Sequence, residues 1–394
     1  MNFETFSFHP SVMAGVHALG YSVPTPIQSK AIPPIMQGRD IIGLAQTGTG
    51  KTAAFVLPIL HHLRKNPQYC IRALIISPTR ELAEQTCEVI NNLGRYTGLQ
   101  GVAIYGGVNI VQQNRELRNG AEIVIACPGR LIDHLWKGTI NLSGLEILVI
   151  DEADRMLDMG FLPDIRNILA CILHKHQTLL FSATMPAAIR RMGHEILHDP
   201  VNVQVDRTLP AKTVSHALYP IQQHLKTALL KEILNKTKTD SVLVFTRTKH
   251  RAERVAQQLV RAGYRVTSLQ GNLSQDRRKA ALADFRNGSI KILVATDIAA
   301  RGIDILSISH VINYDMPEST DDYIHRIGRT GRVDKNGDAL TFVTKADAGK
   351  VSALEKLLDS PLECLTLQGF DYARPAPVRE QGCRGLKNGA TRNR

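Results

Sequence analysis

Short apolar runs rich in β-branched residues recur along this chain, and each breaks abruptly into polar or glycine-rich residues. In the run Leu145-Glu146-Ile147-Leu148-Val149-Ile150 the break is Asp151-Glu152-Ala153-Asp154, three carboxylates within four positions. Such a run reads as a buried parallel strand, because a strand covered on both faces has no polar side to show. Similar runs stand at residues 41–44, 73–77, 102–105 and 178–181, then again at 241–245 and 290–295. Helical patterns lie between them, one through about Arg64 and another over 249–262. This alternation predicts parallel sheets with helical crossovers. The rhythm lapses at the polar stretch Asp206-Arg207-Thr208-Leu209-Pro210-Ala211-Lys212 and then restarts. Two doubly wound α/β domains are therefore expected, over 39–206 and 214–360. A segment at 1–38 would precede them and a linker at 207–213 would join them. After about Leu358 the pattern dissolves, and 361–394 is expected to be a disordered basic tail. Trp136, the only tryptophan, sits in a helical pattern and is expected in the core.

Composition narrows the class. Hydrophobic residues make up 43% of the 394 and charged residues 21%, as in globular proteins and unlike disordered chains. A formal net charge of +12 points to a polyanionic partner, nucleic acid first and an anionic membrane surface second. No apolar run approaches the roughly 18 residues of a membrane span, and Met1-Asn2-Phe3-Glu4 lacks the basic-then-apolar order of a signal peptide. Cys70, Cys87, Cys127, Cys171, Cys364 and Cys383 form no C-x-x-C pair, which argues against zinc and a disulfide framework and suits a reducing cytoplasm.

In open α/β sheets ligands bind at the carboxyl ends of strands, so Asp151 and Glu152 are candidates to meet a metal-bound phosphate. An acidic turn capping the next helix would use the same residues. The stretch Ala45-Gln46-Thr47-Gly48-Thr49-Gly50-Lys51-Thr52 decides between them. Glycines there let backbone N–H groups converge on a phosphate at a helix N-terminus, Lys51 reaches the β/γ-phosphates and the Thr52 hydroxyl binds Mg²⁺. The strict pattern has glycine where this chain has Ala45. Lys51 and Thr52 require a carboxylate strand to complete the Mg²⁺ shell. Asp151 suits the metal and Glu152 suits the base that polarises the attacking water. Together they describe NTP hydrolysis. Upstream, Pro24 and Pro26 stiffen a turn that aims Gln28, whose amide could read an adenine edge while Tyr21 stacks on the base.

These motifs, in this order, resemble the DEAD-box family of ATP-dependent RNA helicases from Phe3 to about residue 345, with Arg155-Met156-Leu157-Asp158-Met159-Gly160-Phe161 closest to the RhlE-like group. The resemblance implies two tandem RecA-like domains, with ATP and Mg²⁺ as cofactors and RNA as partner. It implies RNA contacts at Pro78, Thr79, Arg80, Gly107, Gly129, Arg130, Thr246, Thr296 and Gly302. Gln275 and Arg278 would add backbone contacts, and Cys127 stands where the family has threonine. Asp154, Ser182, Thr184 and His325 would couple hydrolysis to strand separation. Arg329 and Arg332 would be arginine fingers on the γ-phosphate, and Asp304 would approach the ribose or the domain interface. Thr47, Gly48, Thr49 and Gly50 would complete the nucleotide site. Recognition would be largely independent of base sequence, with local opening of short duplexes. Ribosome-assembly and RNA-decay machinery are the protein partners in view. A DNA-acting helicase of the same superfamily and an ATP-gated RNA clamp are the alternatives. From Arg374 to Arg394 six Lys/Arg face one Glu, so the tail could add salt-sensitive RNA affinity or serve only as a solubilising end.

Overall fold

The computed structural model describes residues 2–46, 48–64, 70–205, 214–237, 241–300, 308–330 and 337–376. Thr47, Gly302, Asp304, Arg332, the linker and residues 377–394 lie outside them, as does the side chain of Gln275. The first half contributes strands β1 (Ile41–Leu44), β2 (Ala73–Ile76), β3 (Gly101–Ile104), β4 (Ile123–Ala126), β5 (Ile147–Ile150), β6 (Gln177–Ser182) and β7 (Val201–Gln204). They form a seven-stranded sheet in the order β3-β4-β2-β5-β6-β1-β7, parallel throughout. The second half contributes β8 (Val214–Pro220), β9 (Val242–Phe245), β10 (Val266–Leu269), β11 (Ile292–Ala295), β12 (His310–Asn313), β13 (Gly337–Val343) and β14 (Glu363–Cys364). Their order is β10-β11-β9-β12-β13-β8-β14, again parallel.

The apolar runs are strands because both faces of each sheet are covered. Alternate side chains enter opposite layers. Ile75, Ile125, Val149 and Phe181 pack into one core, while Leu74, Val124, Leu148 and Leu180 pack into the other. The second sheet repeats this, with Val244 and Val294 on one side and Leu243 and Leu293 on the other. The opening segment joins the first core through Phe3, Phe6, Phe8, Val12 and Val16.

Two expectations are corrected. Trp136 is 81% exposed. It ends the helix Pro128–Trp136, where Leu131, Ile132 and Leu135 face the sheet; one step past Leu135 on a 3.6-residue period, the ring turns outward. Ordered structure also continues past residue 360. The Leu365 N–H donates to the Leu218 carbonyl (2.8 Å) beyond β14, which pairs with β8. Leu365, Leu367, Phe370 and Tyr372 pack on the core, the last two rings edge to face at 4.9 Å. A two-residue strand and isolated apolar contacts carry no period, so the pattern alone does not reveal this strap.

Candidate nucleotide and RNA sites

Spatial strand order sorts the motifs along the carboxyl rim of the first sheet. The loop after β1, the carboxylates after β5 and Ser182–Thr184 after β6 become neighbours, because β6 lies between β5 and β1. The ends of β3, β4 and β2 occupy the other half of the rim.

In the phosphate loop, Gly48 and Gly50 take φ of +85° and +91°, a left-handed region open to glycine. A side chain at Gly50 would also meet the Gln28 amide nitrogen at 2.5 Å. Lys51 is buried at the start of the helix Lys51–Arg64, and its Nζ donates to the Ala45 carbonyl at 2.8 Å. Thr52 follows on the same turn. The Thr49 hydroxyl donates to the Gln46 carbonyl at 2.7 Å, closing the loop on itself. Gln28 is buried, its Oε1 accepting the Thr25 N–H (2.9 Å) and its Nε2 donating to the Gly50 carbonyl (3.1 Å). The amide expected to read adenine is therefore a brace between the stiff turn and the loop, with one N–H and one lone pair beyond these two bonds. Tyr21 lies beside Phe3, ring centroids 6.0 Å apart.

Asp151 and Glu152 are 4% and 8% exposed. Burial raises the Asp151 pKa to about 6 against the pull of the Lys51 ammonium. Burial also works on Glu152, yet Arg155 and then Lys51 hold that carboxyl below its usual range. Glu152 has φ +52° and ψ +52°, uncommon for a residue with a side chain. Strain of that kind costs about 1–3 kcal/mol and concentrates at functional sites. Its carboxylate meets Arg155 Nη1 at 2.8 Å. The Asp154 N–H donates to Ser182 Oγ (3.1 Å), and Asp154 Oδ2 accepts from both the N–H and the hydroxyl of Thr184 (2.7 and 2.9 Å).

Arg329 reaches this cluster from the second sheet and lowers the Glu152 pKa. With His325 it faces Glu152, Asp154, Arg155, Asp158 and Ala183 across a gap of about 20 Å³, room for about one water. Arg326, its near neighbour, does the opposite. It is 3% exposed and grips Asp297 with two bonds of 2.6 and 2.7 Å, besides bonding Asn313 Oδ1 (3.0 Å) and the Asp315 carbonyl (2.8 Å).

The other half of the rim opens on a cleft of about 590 Å³, lined by Pro78, Thr79, Arg80, Gly106, Cys127, Gly129 and Arg130 from one sheet and by Gly271, Leu273 and Arg278 from the other. Thr79 caps the helix Arg80–Leu93, its hydroxyl accepting the Leu82 N–H. Gly129 is open, since an added Cβ would meet nothing within 4 Å. Gly107 (φ +82°) instead makes room for a side chain of this protein, because a Cβ there would lie 2.4 Å from Arg80 Nη1. Arg130 braces the neighbouring loop, donating to Gln113 Oε1 (2.7 Å) and the Val108 carbonyl (3.2 Å). Thr246 is fully buried and its hydroxyl donates to the Thr248 carbonyl (3.3 Å), so as it stands it offers RNA nothing. Thr296 is 9% exposed at the end of β11. Arg278, expected on the RNA backbone, meets Glu81 Oε1 at 2.6 Å, and Lys279 meets Glu84 at 2.7 Å. Both pairs bridge the two sheets. Their partners lie almost two hundred residues apart, beyond the reach of any motif.

Cys127 is the N-cap of the helix Pro128–Trp136 and makes no side-chain cap bond. Burial pushes its thiol up to about 12, so it is un-ionised at neutral pH. Cys127→Thr should add a cap hydrogen bond, raise stability by about 0.5–1 kcal/mol and leave RNA affinity equal or tighter. Melting and an RNA titration check this, and a clear loss of RNA affinity would remove Cys127 from the RNA cleft.

Two parallel sheets, with a phosphate loop and acidic strand end on the first and an arginine of the second brought to them, define a tandem RecA-like nucleotide hydrolase. Residues 25–192 match the DEAD/DEAH box helicase family and residues 225–334 the helicase conserved C-terminal domain. The chain is similar to the DEAD-box ATP-dependent RNA helicase RhpA of Helicobacter pylori, with 42% identity over 363 residues covering 92% of this chain and 73% of that one. It is 40% identical over 378 residues to the ATP-dependent RNA helicase CshA of Listeria monocytogenes, covering 96% and 72%. Among solved structures, S. cerevisiae Dbp5 bound to RNA and ADP BeF3 superposes with a TM-score of 0.81 at 30% identity, covering 92% of this chain and 95% of that one. The chain belongs to the DEAD-box family of ATP-dependent RNA helicases. No helix of the described residues is long and apolar enough to cross a membrane.

Proposed function

We propose that this enzyme binds ATP on the rim of the first sheet, holds single-stranded RNA across both sheets, and couples RNA-stimulated hydrolysis to local opening of short duplexes or remodelling of RNA–protein complexes. The observation that carries this reading is that both sites straddle the two sheets. Arg329 acts on the Glu152 carboxylate, and Arg278 and Lys279 pair with Glu81 and Glu84 beside the cleft. Ligands that need both sheets favour the closed arrangement, so ATP and RNA each raise the other's affinity.

In this reading Lys51, with the loop Thr47–Gly50, holds the phosphates. Glu152 accepts a proton from the attacking water, and Arg329 and Arg332 offset charge on the γ-phosphate. Tyr21 and the remaining capacity of Gln28 meet the base, and Asp304 meets the ribose. Thr52 and Asp151 suit Mg²⁺. Among the described residues no cluster of three metal-ligating side chains exists, and this ion characteristically keeps waters and phosphates around one carboxylate. When bound, it would offset negative charge on the phosphates. Asp154, Ser182 and Thr184, hydrogen-bonded to one another, and His325, which faces Asp154 across the gap, are the coupling set. Pro78, Thr79, Arg80, Gly107, Gly129, Arg130, Thr296 and Gly302 line the RNA path, with Arg130 and Gly107 acting through the loops and side chains they brace. Thr246 would join them only after rearrangement.

Stacking of about 1.4 kcal/mol per base step, taken from DNA, makes a few pairs affordable to displace and long duplexes not. The two domains of this reading span 39–206 and 214–360, and the strap that packs on the second core through Tyr372 belongs with the second. The run Arg155–Phe161 supports an RhlE-like subgroup, and free cysteines among the described residues support a cytoplasmic location. The test is ATP turnover with matched RNA and DNA strands, together with unwinding of a short RNA duplex. Stimulation by RNA alone, with unwinding, is expected. Equal stimulation by DNA, or turnover without unwinding, would overturn the reading.

A further inference from the structure

Each of the three clustered carboxylates has its own fastener. Asp151 accepts the Glu152 N–H at 3.0 Å, and Asp154 is held by Thr184. For Glu152 the fastener is Arg155. The left-handed backbone at Glu152 folds its side chain back over the first turn of the helix Ala153–Asp158. There Arg155 Nη1 meets Oε2 at 2.8 Å, with the two side chains only 7% and 10% exposed. The same residue also touches the neighbouring carboxylate, since the Arg155 N–H donates to Asp154 Oδ1 at 3.0 Å. One residue thus ties the Glu152 carboxylate to the Asp154–Thr184 contact.

We propose that Arg155 is a positioning residue for ATP hydrolysis: it pins one oxygen of the Glu152 carboxylate beside the seam where Arg329 arrives, leaving Oε1 as the oxygen that takes a proton from water. The need is geometric. A glutamate has three rotatable bonds, and this one stands in the field of two further cations, Lys51 and Arg329. A charge-assisted bond from a rigid guanidinium selects one arrangement and resists the pull of both. Arg155 touches neither ATP nor water in this scheme and acts only through Glu152.

The inference rests on Glu152 as the water-activating carboxylate, and a double-mutant cycle on the full chain tests the two separately. In the parent, Arg155→Met should lower kcat of RNA-stimulated ATP turnover by about 10- to 100-fold, the scale of a misplaced catalytic group, with KM for ATP within about twofold. Arg155→Lys, which keeps a charge but lacks the planar fork, should recover only part of that loss. In a Glu152→Gln background, Arg155→Met should change the residual rate by less than about twofold, because the group it positions is gone. Equal losses in both backgrounds, or a loss confined to KM, would make Arg155 structural and overturn the assignment. Should Arg155→Met not fold, Arg155→Lys carries the same cycle, with a smaller kcat loss expected only when Glu152 is present. Near-parental turnover by Glu152→Gln alone would sink the reading of Glu152. An inactive Glu152→Gln beside a fully active Arg155→Met would sink only the proposal for Arg155.

Discussion

Glu152→Gln should lower RNA-stimulated ATP turnover by roughly 10²–10⁴-fold, the usual contribution of a positioned general base, while ATP and RNA binding stay near parental. The amide keeps the shape of the carboxylate, and its oxygen can still accept from Arg155, so the local backbone with its φ of +52° is retained. What is lost is the ability to take a proton. The site around this residue is buried, with Arg155, Lys51 and Arg329 all lowering its pKa, so the acid stays ionised and ready to accept. Turnover and equilibrium binding of a fluorescent nucleotide measure the two quantities separately. Turnover within threefold of the parent would remove Glu152 from the chemistry, whereas a parallel collapse of binding would mark it as a structural residue.

Two arginines three positions apart should fail in opposite ways. Arg326→Met removes one partner of a buried ionic network and leaves Asp297, bonded at 2.6 and 2.7 Å, without its counter-charge. Breaking such a pair from one side costs about 3–5 kcal/mol, and the guanidinium also covers the Phe245 ring at 5.0 Å. The second domain should therefore melt earlier, and activity should fall only as the fold does. Arg329→Met should leave melting near parental and reduce turnover by about 10³-fold, the lower end of arginine-finger effects. Thermal unfolding beside turnover at low temperature resolves the two variants. Matching profiles would show that the division of labour read from their contacts is mistaken.

In the motif His325-Arg326-Ile327-Gly328-Arg329 the family resemblance singles out Arg329 as a finger but gives Arg326 no role. Both are equally basic, and the residue types alone do not say which one turns inward. Their roles separate only because the helix Thr320–Ile327 lies against the ends of β11 and β12, which turns Arg326 inward onto Asp297 and Asn313. Gly107 carries the same lesson: glycine was legible, but its tenant is the Arg80 guanidinium. The strap after β14 was missed for want of a period, and Trp136 was misplaced by a single helical step.

What the chain's own residues determined is local. Runs such as Ile147–Ile150 can only be covered strands, glycines at 48 and 50 admit the loop's backbone, and lysine, threonine and acids at strand ends define the nucleotide chemistry. Each of these constraints acts within a few residues. Tertiary structure decided what depends on strands meeting out of chain order. The order β3-β4-β2-β5-β6-β1 gathers the phosphate loop and the carboxylates on one half of the rim and leaves the other half for the cleft. It also brought Arg278 to Glu81 and Arg329 to Glu152. Charge and shape at one position set what a residue can do; packing of distant segments sets which partner it does it with.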